Sequence, residues 1–257
     1  MLVTSTTYVH AYEQSTSAHP QILIDAAVRA ASSHHAGMLG VAIATSDGVL
    51  SSGFVAPSPA WSTIKVPIAI AALRRDPGMH PDAAAAITVS DNDAAQRLYT
   101  QAGEDAVNTV LSEMGLATTV NTAPIRPEFS TFGQTLLSVS DEATMAGNLA
   151  CLTGAAPVIA LMGEIESAQA YGLGAVGARS RSSAGAAFKG GWGPDPAGKY
   201  HVRQFGLIPR GDGFFAAVAI TAVPTDGTYQ TGQVMLDIAV SVLSQQAGDL
   251  PAAPCQP

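Results

Sequence analysis

The chain has 257 residues and a net charge of −8, with 47% hydrophobic and 12% charged residues. Such a composition describes a packed globular protein of one large domain or two layers around shared cores, not a disordered chain. Nine scattered arginines offer no basic stripe for nucleic acid. No apolar run reaches the roughly 18 residues of a membrane helix, the longest lying near Val66–Leu73.

In chain order, residues 1–19 read as an irregular lead-in. They have no basic start and no compact apolar stretch ending in a small-residue cleavage site, so no leader is readable. Either the protein is cytoplasmic or its leader precedes this sequence. Gln21–Ser33 then carries Ile22, Leu23, Ala26, Ala27 and Ala30 at helical spacing. Gly37–Phe54 holds two apolar runs around Ser46-Asp47-Gly48, a β-hairpin pattern. Ser62–Leu73 is helical in pattern and ends at Asp76-Pro77-Gly78, and Pro81–Gln101 and Gly103–Met114 read as further short, Ala-rich helices. Ala117–Leu137 has no period and is long for a loop without function. Ser140–Leu152 and Ala156–Gln169 are helical in pattern. Three strand-like runs follow, Ala186–Trp192, Tyr200–Ile208 and Phe214–Val223, and then a helix over Gly232–Gln245.

This order predicts an α/β (α+β) fold. The hairpin and the late meander combine into a five-stranded antiparallel sheet covered by the first and last helices, with an all-helical second part. Residues 20–257 form one domain, its α/β part 20–61 and 185–246 and its helical part 62–184. Cys151 and Cys255 fit equally one disulfide or a core thiol plus a free thiol in the tail.

Three segments carry chemistry. In Trp61-Ser62-Thr63-Ile64-Lys65, residues three apart share a helix face, so Ser62 and Lys65 lie side by side. A desolvated amine can take the proton of an otherwise inert serine, and a helix N-terminus adds backbone N–H groups for a developing oxyanion. A surface lysine beside a capping serine is the ordinary alternative. However, the chain has only three lysines (Lys65, Lys189, Lys199), and Lys65 sits inside the apolar run STIKVPIAIAAL. The second segment, Ser90-Asp91-Asn92, also reads as a plain helix N-cap. The third, Lys189-Gly190-Gly191-Trp192, puts two glycines inside a strand, where they weaken it unless something must approach closely.

In that order the segments resemble the S-x-x-K, S-D-N and K-T-G signature of the penicillin-binding proteins and class A β-lactamases. The resemblance spans about residues 20 to 246. It implies that Ser62 attacks a carbonyl, Lys65 activates it, Ser90 relays a proton to the departing nitrogen, and Asn92 binds the substrate's amide side chain. It also implies that Lys189 sets the field around Ser90, that Gly190, Gly191 and Trp192 border the substrate, and that the backbone N–H groups of Ser62 and Trp192 form the oxyanion hole.

Four departures qualify this. Ser62 and Ser90 are 28 positions apart (90 − 62), about half the family's usual spacing, so the helical part is trimmed. Gly190 lacks the family's hydroxyl, which leaves carboxylate recognition open. Trp192 is bulky where the family has a small residue. In the loop that carries the family's deacylating glutamate, Glu128 is the only acid and its context does not match; it reads as a possible deacylation base or a solvated carboxylate. Arg203 is either a carboxylate-binding arginine or a surface arginine on an edge strand.

The expected activity is that of a serine hydrolase or penicillin-binding protein acting on a β-lactam or D-alanyl peptide, monomeric, extracytoplasmic and slow to deacylate. The alternative is a non-catalytic binding protein that retains the fold. His10, His19, His34, His35, His80 and His201 show no metal-ligand spacing, and no Gly-rich phosphate loop follows a strand, so neither metal nor cofactor is expected.

Overall fold

The structure is a computed structural model that describes residues 18–176 and 185–257. Residues 1–17 of the lead-in, with His10, and the last residues of the expected helical part lie outside the described residues. Helix α1 (Ala18–His34) leads into β1 (Gly37–Thr45) and β2 (Gly48–Gly53), and then β3 (Ser58–Pro59) and a 3-10 turn over Trp61–Ile64. Helices α2 (Lys65–Arg75), α3 (His80–Thr88), α4 (Asn92–Ala102) and α5 (Glu104–Glu113) form the helical layer. After β4 (Leu136–Leu137) come α6 (Val139–Asn148) and α7 (Ala156–Met162). The chain closes with β5 (Ala187–Pro194), β6 (Tyr200–Pro209), β7 (Phe215–Pro224) and α8 (Tyr229–Gln245).

The expected five-stranded sheet is present in the order β2-β1-β7-β6-β5, and every neighbouring pair is antiparallel. The early hairpin joins the meander where β1 pairs β7, Val41 opposite Ile220. Alternation sorts the side chains onto two faces. Leu39, Val41, Ile43, Val218 and Ile220 pack under α1 and α8, against Ile24, Ala27, Leu236 and Val240. Ala42, Ala44, Ala217 and Ala219 face the other layer, and these small side chains let α6 lie directly on β1 and β7.

The boundaries differ where local chemistry intervenes. On α1 the buried stripe is Leu23, Ile24, Ala27 and Ala31, while Ile22 is 60% exposed, so the apolar face is rotated from the expected one. The helix expected from Ala156 stops at Met162. The two-stranded sheet β3–β4, Ser58 opposite Leu137, has strands too short to carry a period and was not expected. Helix α6 opens on a capping box in which Ser138 and Asp141 satisfy each other's backbone N–H groups. Among the described residues no helix is long and apolar enough to cross a membrane.

Cys151 and Cys255 form a disulfide across 104 positions. It pins the C-terminal tail where Cys255 N–H donates to Gly147 O (3.1 Å) and Ala253 N–H to Phe215 O (2.7 Å). Closing a loop of this length removes unfolded-state entropy, so replacing both cysteines by serine is expected to lower the unfolding free energy by about 2–4 kcal/mol. Urea denaturation of the two forms measures this; equal midpoints would show that the tail contacts hold alone.

Candidate active site

The site begins at a backbone irregularity. Trp61 has φ 53°, a left-handed conformation that bulky residues rarely adopt. Its ring is 7% exposed, packs edge-on against Phe129 at 5.1 Å, and lies flat on β5, where a Cβ at Gly193 would come within 2.6 Å of it. Packing therefore holds the turn that presents Ser62. The expected single helix from Ser62 is in fact the 3-10 turn Trp61–Ile64 running into α2 at Lys65. In a 3-10 turn residues three apart are eclipsed, so Ser62 and Lys65 still share a face.

Lys65 is 1% exposed. Its ammonium donates to Ser90 O (2.6 Å), Asn92 Oδ1 (2.7 Å), Asp91 O (3.2 Å) and Ser90 Oγ (3.4 Å). Ser62 Oγ, half-buried, has no hydrogen-bond partner among the described residues, so the direct Ser62–Lys65 bond that the spacing suggests is not formed in this state. Ser90 itself is left-handed, with φ 63°. The capping reading of Ser-Asp-Asn is realised by its middle residue: Asp91 caps α4, its carboxylate accepting from Ala94 N–H at 2.7 Å. Ser90 and Asn92 are thereby left to face Lys65.

Lys189, fully buried on β5, donates to Ser90 Oγ (3.0 Å) and to Gly190 O (2.9 Å). One hydroxyl thus sits between two enclosed lysines. Burial lowers Lys65 from 10.5 to about 8, opposed by the Asp91 charge. Burial, aided by repulsion from Lys65, lowers Lys189 well below its usual value. Two such amines thus lie within hydrogen-bond distance of one hydroxyl.

The two glycines of β5 have separate reasons. A Cβ at Gly191 would stand 2.6 Å from Ala60 O and 2.9 Å from Ser62 N, so the strand backbone meets the Ser62 turn directly and tolerates no side chain. At Gly190 the nearest atoms to a Cβ would be Tyr171 Oη (3.6 Å) and Gln204 Cγ (3.7 Å), ordinary contact distances at which a Cβ fits without a clash. Trp192, half-buried, stacks on Tyr229 at 5.4 Å. Because β5 is an edge strand, half of its backbone amides point away from β6.

Arg203 departs from both of its expected readings, and Glu128 takes the second of its two, the solvated carboxylate. Arg203 is neither a surface residue nor available to a substrate. It lies on β6, inside the sheet, and is fully buried. It ion-pairs with Glu142 at 2.9 Å and donates to Ser58 O (2.9 Å), Pro59 O (2.9 Å) and Leu137 O (3.0 Å). Glu128 is an exposed loop carboxylate paired with Arg126 at 3.1 Å, and makes no hydrogen bond to Ser62, Lys65 or Lys189. Arg126 in turn donates to Pro194 O, strapping the loop to the end of β5.

Glu142 and Gln134 were not anticipated. Glu142 is buried beside Thr63, the neighbour of Ser62; burial pushes its carboxyl up, while Arg203 and Thr63 oppose this. A glutamate three residues after Val139 and four before Ala146 sits on an apolar stripe, and that was the readable signal. Gln134 accepts from Arg126 N–H and donates to Arg126 O, pinning the loop from within. No group of three or more His, Cys, Asp or Glu is placed to hold a metal among the described residues.

No family model and no curated protein matches the chain. Solved structures do. A class A β-lactamase from Bacteroides cellulosilyticus is 15% identical with TM-score 0.70, matching 88% of this chain and 98% of its own. One from Mycobacterium abscessus is 16% identical with TM-score 0.69, over 88% and 99%. A β-lactamase from Sphaerobacter thermophilus is 18% identical with TM-score 0.66, over 90% and 99%. The chain has the class A β-lactamase fold. On that fold Ser62, Lys65, Ser90, Asn92, Lys189 and Gly191 converge, whereas Arg203 is built into the scaffold.

Removing one partner of a buried ion pair leaves the other uncompensated. Arg203→Met is therefore expected to cost about 3–5 kcal/mol, and Arg203→Met with Glu142→Leu markedly less. Denaturant melts of the two variants decide this; equal losses would mean that packing, not charge, is what Arg203 supplies.

Proposed function

We propose that the chain is an acyl-serine enzyme that acts on a β-lactam or D-alanyl peptide and deacylates slowly. The observation that carries this reading is the Ser90 hydroxyl held by Lys189 and Lys65, both enclosed, two residues from Asn92. A chain with three lysines has no structural need to bury two of them around one oxygen.

In the proposed sequence Lys65, as free amine, takes the Ser62 proton while Oγ bonds to the substrate carbonyl carbon. The oxyanion is received by backbone N–H groups of Ser62 and Trp192. Ser90 gives its proton to the leaving nitrogen as the C–N bond breaks, and Lys65 or Lys189 restores it. Water then releases the acyl group. That last step needs an oriented base, and Glu128, exposed and paired with Arg126, is poorly suited to be one. Losing a positioned general base forfeits about 10² to 10⁴ in rate. This favours a lasting acyl-enzyme, as in a penicillin-binding protein. The Cys151–Cys255 disulfide favours an oxidising, extracytoplasmic setting.

Intact-protein mass spectrometry after incubation with a penicillin is expected to show one adduct that persists for many minutes. The adduct is lost in Ser62→Ala, while the melting temperature is nearly unchanged because a half-buried hydroxyl contributes at most about 1 kcal/mol. An adduct in Ser62→Ala would place the nucleophile elsewhere, and nitrocefin turnover on the order of 10–10³ per second would refute slow deacylation.

The acylation rate carries a pH signature. Lys65 acts as a base only when unprotonated, and its pKa of about 8 leaves roughly a tenth as free amine at pH 7. The acylation rate should therefore climb almost tenfold per pH unit below 7 and level off above about 8. A flat profile from pH 6 to 9 would exclude Lys65 as the base.

A further inference from the structure

Two buried ring nitrogens stand without a partner beside the turn that presents Ser62. Among the described residues, neither Nε1 of Trp61 nor Nδ1 of His201 has a hydrogen-bond partner. Both side chains border the same bare backbone. The Trp61 ring lies 2.6 Å from where a Cβ at Gly193 would be, and His201 is the residue of β6 that pairs with Gly193. Residues directly opposite in an antiparallel pair place their Cβ positions about 4.5–5.5 Å apart on one face, so the imidazole starts beside the indole. That face is the one that meets Ser62: His201 is two residues from Arg203, and Gly193 is two from Gly191, whose backbone touches the Ser62 turn. Trp61 has need of a directional hold. It is left-handed at φ 53°, immediately before Ser62, and Phe129 and Gly193 touch its ring by packing alone.

The other nitrogen of His201 selects the tautomer. Nε2 faces Asp195 Oδ2 at 3.9 Å, and the imidazole is 12% exposed. Asp195 is itself oriented, because its Oδ1 accepts from Ala197 N–H (2.8 Å) and Lys199 N–H (2.9 Å), which leaves Oδ2 for the imidazole. A carboxylate on that side favours the proton on Nε2, so in the neutral ring Nδ1 is an acceptor. Indole Nε1 is a donor only. Neutral His201 is therefore complementary to Trp61, whereas an imidazolium, a donor at both nitrogens, is not. The other charges around the ring are Arg203 with Glu142 on the same face, Lys199 in the turn, and Arg126 with Glu128 at Pro194 O. Burial lowers the His201 pKa, Asp195 opposes this and Arg203 adds to it, so the ring is neutral at pH 7.

We propose that Asp195, His201 and Trp61 form a positioning chain for the nucleophile: neutral His201 accepts from the indole across one water molecule and holds the Ser62 turn, and protonation of His201 releases it. This rests on the acyl-serine reading above and adds an acid-side control of acylation by groups that do not touch the substrate. Two measurements test it. In Trp192→Phe, Trp61 is the chain's only tryptophan, and an imidazolium beside an indole quenches its emission. Emission followed from pH 7 to about pH 4 is expected to fall in one step below about 6.5, with unchanged far-ultraviolet circular dichroism, and the step is lost when His201→Gln is added. Acylation by a penicillin, followed by mass spectrometry, is expected to slow about tenfold per pH unit above that step, from Lys65 alone, and about a hundredfold per unit below it. Glutamine accepts from the indole at every pH, so His201→Gln keeps the tenfold slope throughout, whereas His201→Phe is about three- to tenfold slower already at pH 7. Emission that stays flat, or a step that survives in His201→Gln, overturns the pairing of the two rings. A tenfold slope throughout in the unsubstituted protein overturns the hold on Ser62 and leaves the acyl-serine reading standing. If no penicillin labels Ser62 at any pH, that reading falls and the control of acylation with it, while the emission step still decides the pairing.

Discussion

The Arg203–Glu142 pair is the constraint on which the rest of the site depends. A guanidinium with no exposure on β6 reaches Glu142 on α6, the carbonyls of Ser58 and Pro59 just before Ser62, and Leu137 O at the end of the long loop. Taking both charges out of water costs several kcal/mol per ion, offset here by the ion pair and by the carbonyls that accept from the two terminal nitrogens of the guanidinium. That cost makes the arrangement specific. If Ser58, Pro59 or Leu137 moved away, it would leave a buried N–H without an acceptor. One side chain therefore sets where the Ser62 turn starts, where the loop ends, and how far α6 sits from the sheet.

Two left-handed residues depend on that scaffold. Trp61 and Ser90 each hold a backbone conformation costing on the order of 1–3 kcal/mol. They flank the reactive groups on separate elements, one before Ser62 and one at the entry to α4. The first is held by the ring of Trp61 wedged between Phe129 and the bare backbone of Gly193. The second is held by the Asp91 cap, which fixes where α4 begins, and by Lys65 on the Ser90 carbonyl. Neither turn would persist as an isolated peptide; the tertiary contacts select both.

What could be read from the sequence follows the range of the interactions. The sheet and its helices were legible because alternation and helical spacing are local patterns repeated over many residues. Ser62 and Lys65 stood out because a lysine in an apolar run contradicts its surroundings, and Gly190 and Gly191 because glycines weaken a strand, whereas Ser90, Asn92 and Lys189 joined them only through the resemblance to the three-motif signature. Arg203 was misread because its partners lie 61 to 145 positions away and no local pattern tells an inward arginine from an outward one. The strands β3 and β4, two residues each, carry no period at all.

The proton inventory around Ser90 ties these pieces to the chemistry. Lys65 has two backbone carbonyls and the Asn92 amide oxygen around its ammonium, which favour keeping its proton despite burial. Lys189 is wholly buried, has fewer acceptors, and is repelled by Lys65, and burial lowers its hold on a proton well below the usual one. Both amines are directed at Ser90 and its neighbours and away from Ser62, whose hydroxyl has no partner among the described residues. On the reading proposed above, Lys65 must lose its proton to solvent before it can accept from Ser62, which is the origin of the expected rise of acylation with pH. Ser90 Oγ, 3.4 Å from Lys65 and 3.0 Å from Lys189, then lies where it would pass the Ser62 proton on to the leaving nitrogen, and the buried Lys189 holds it there.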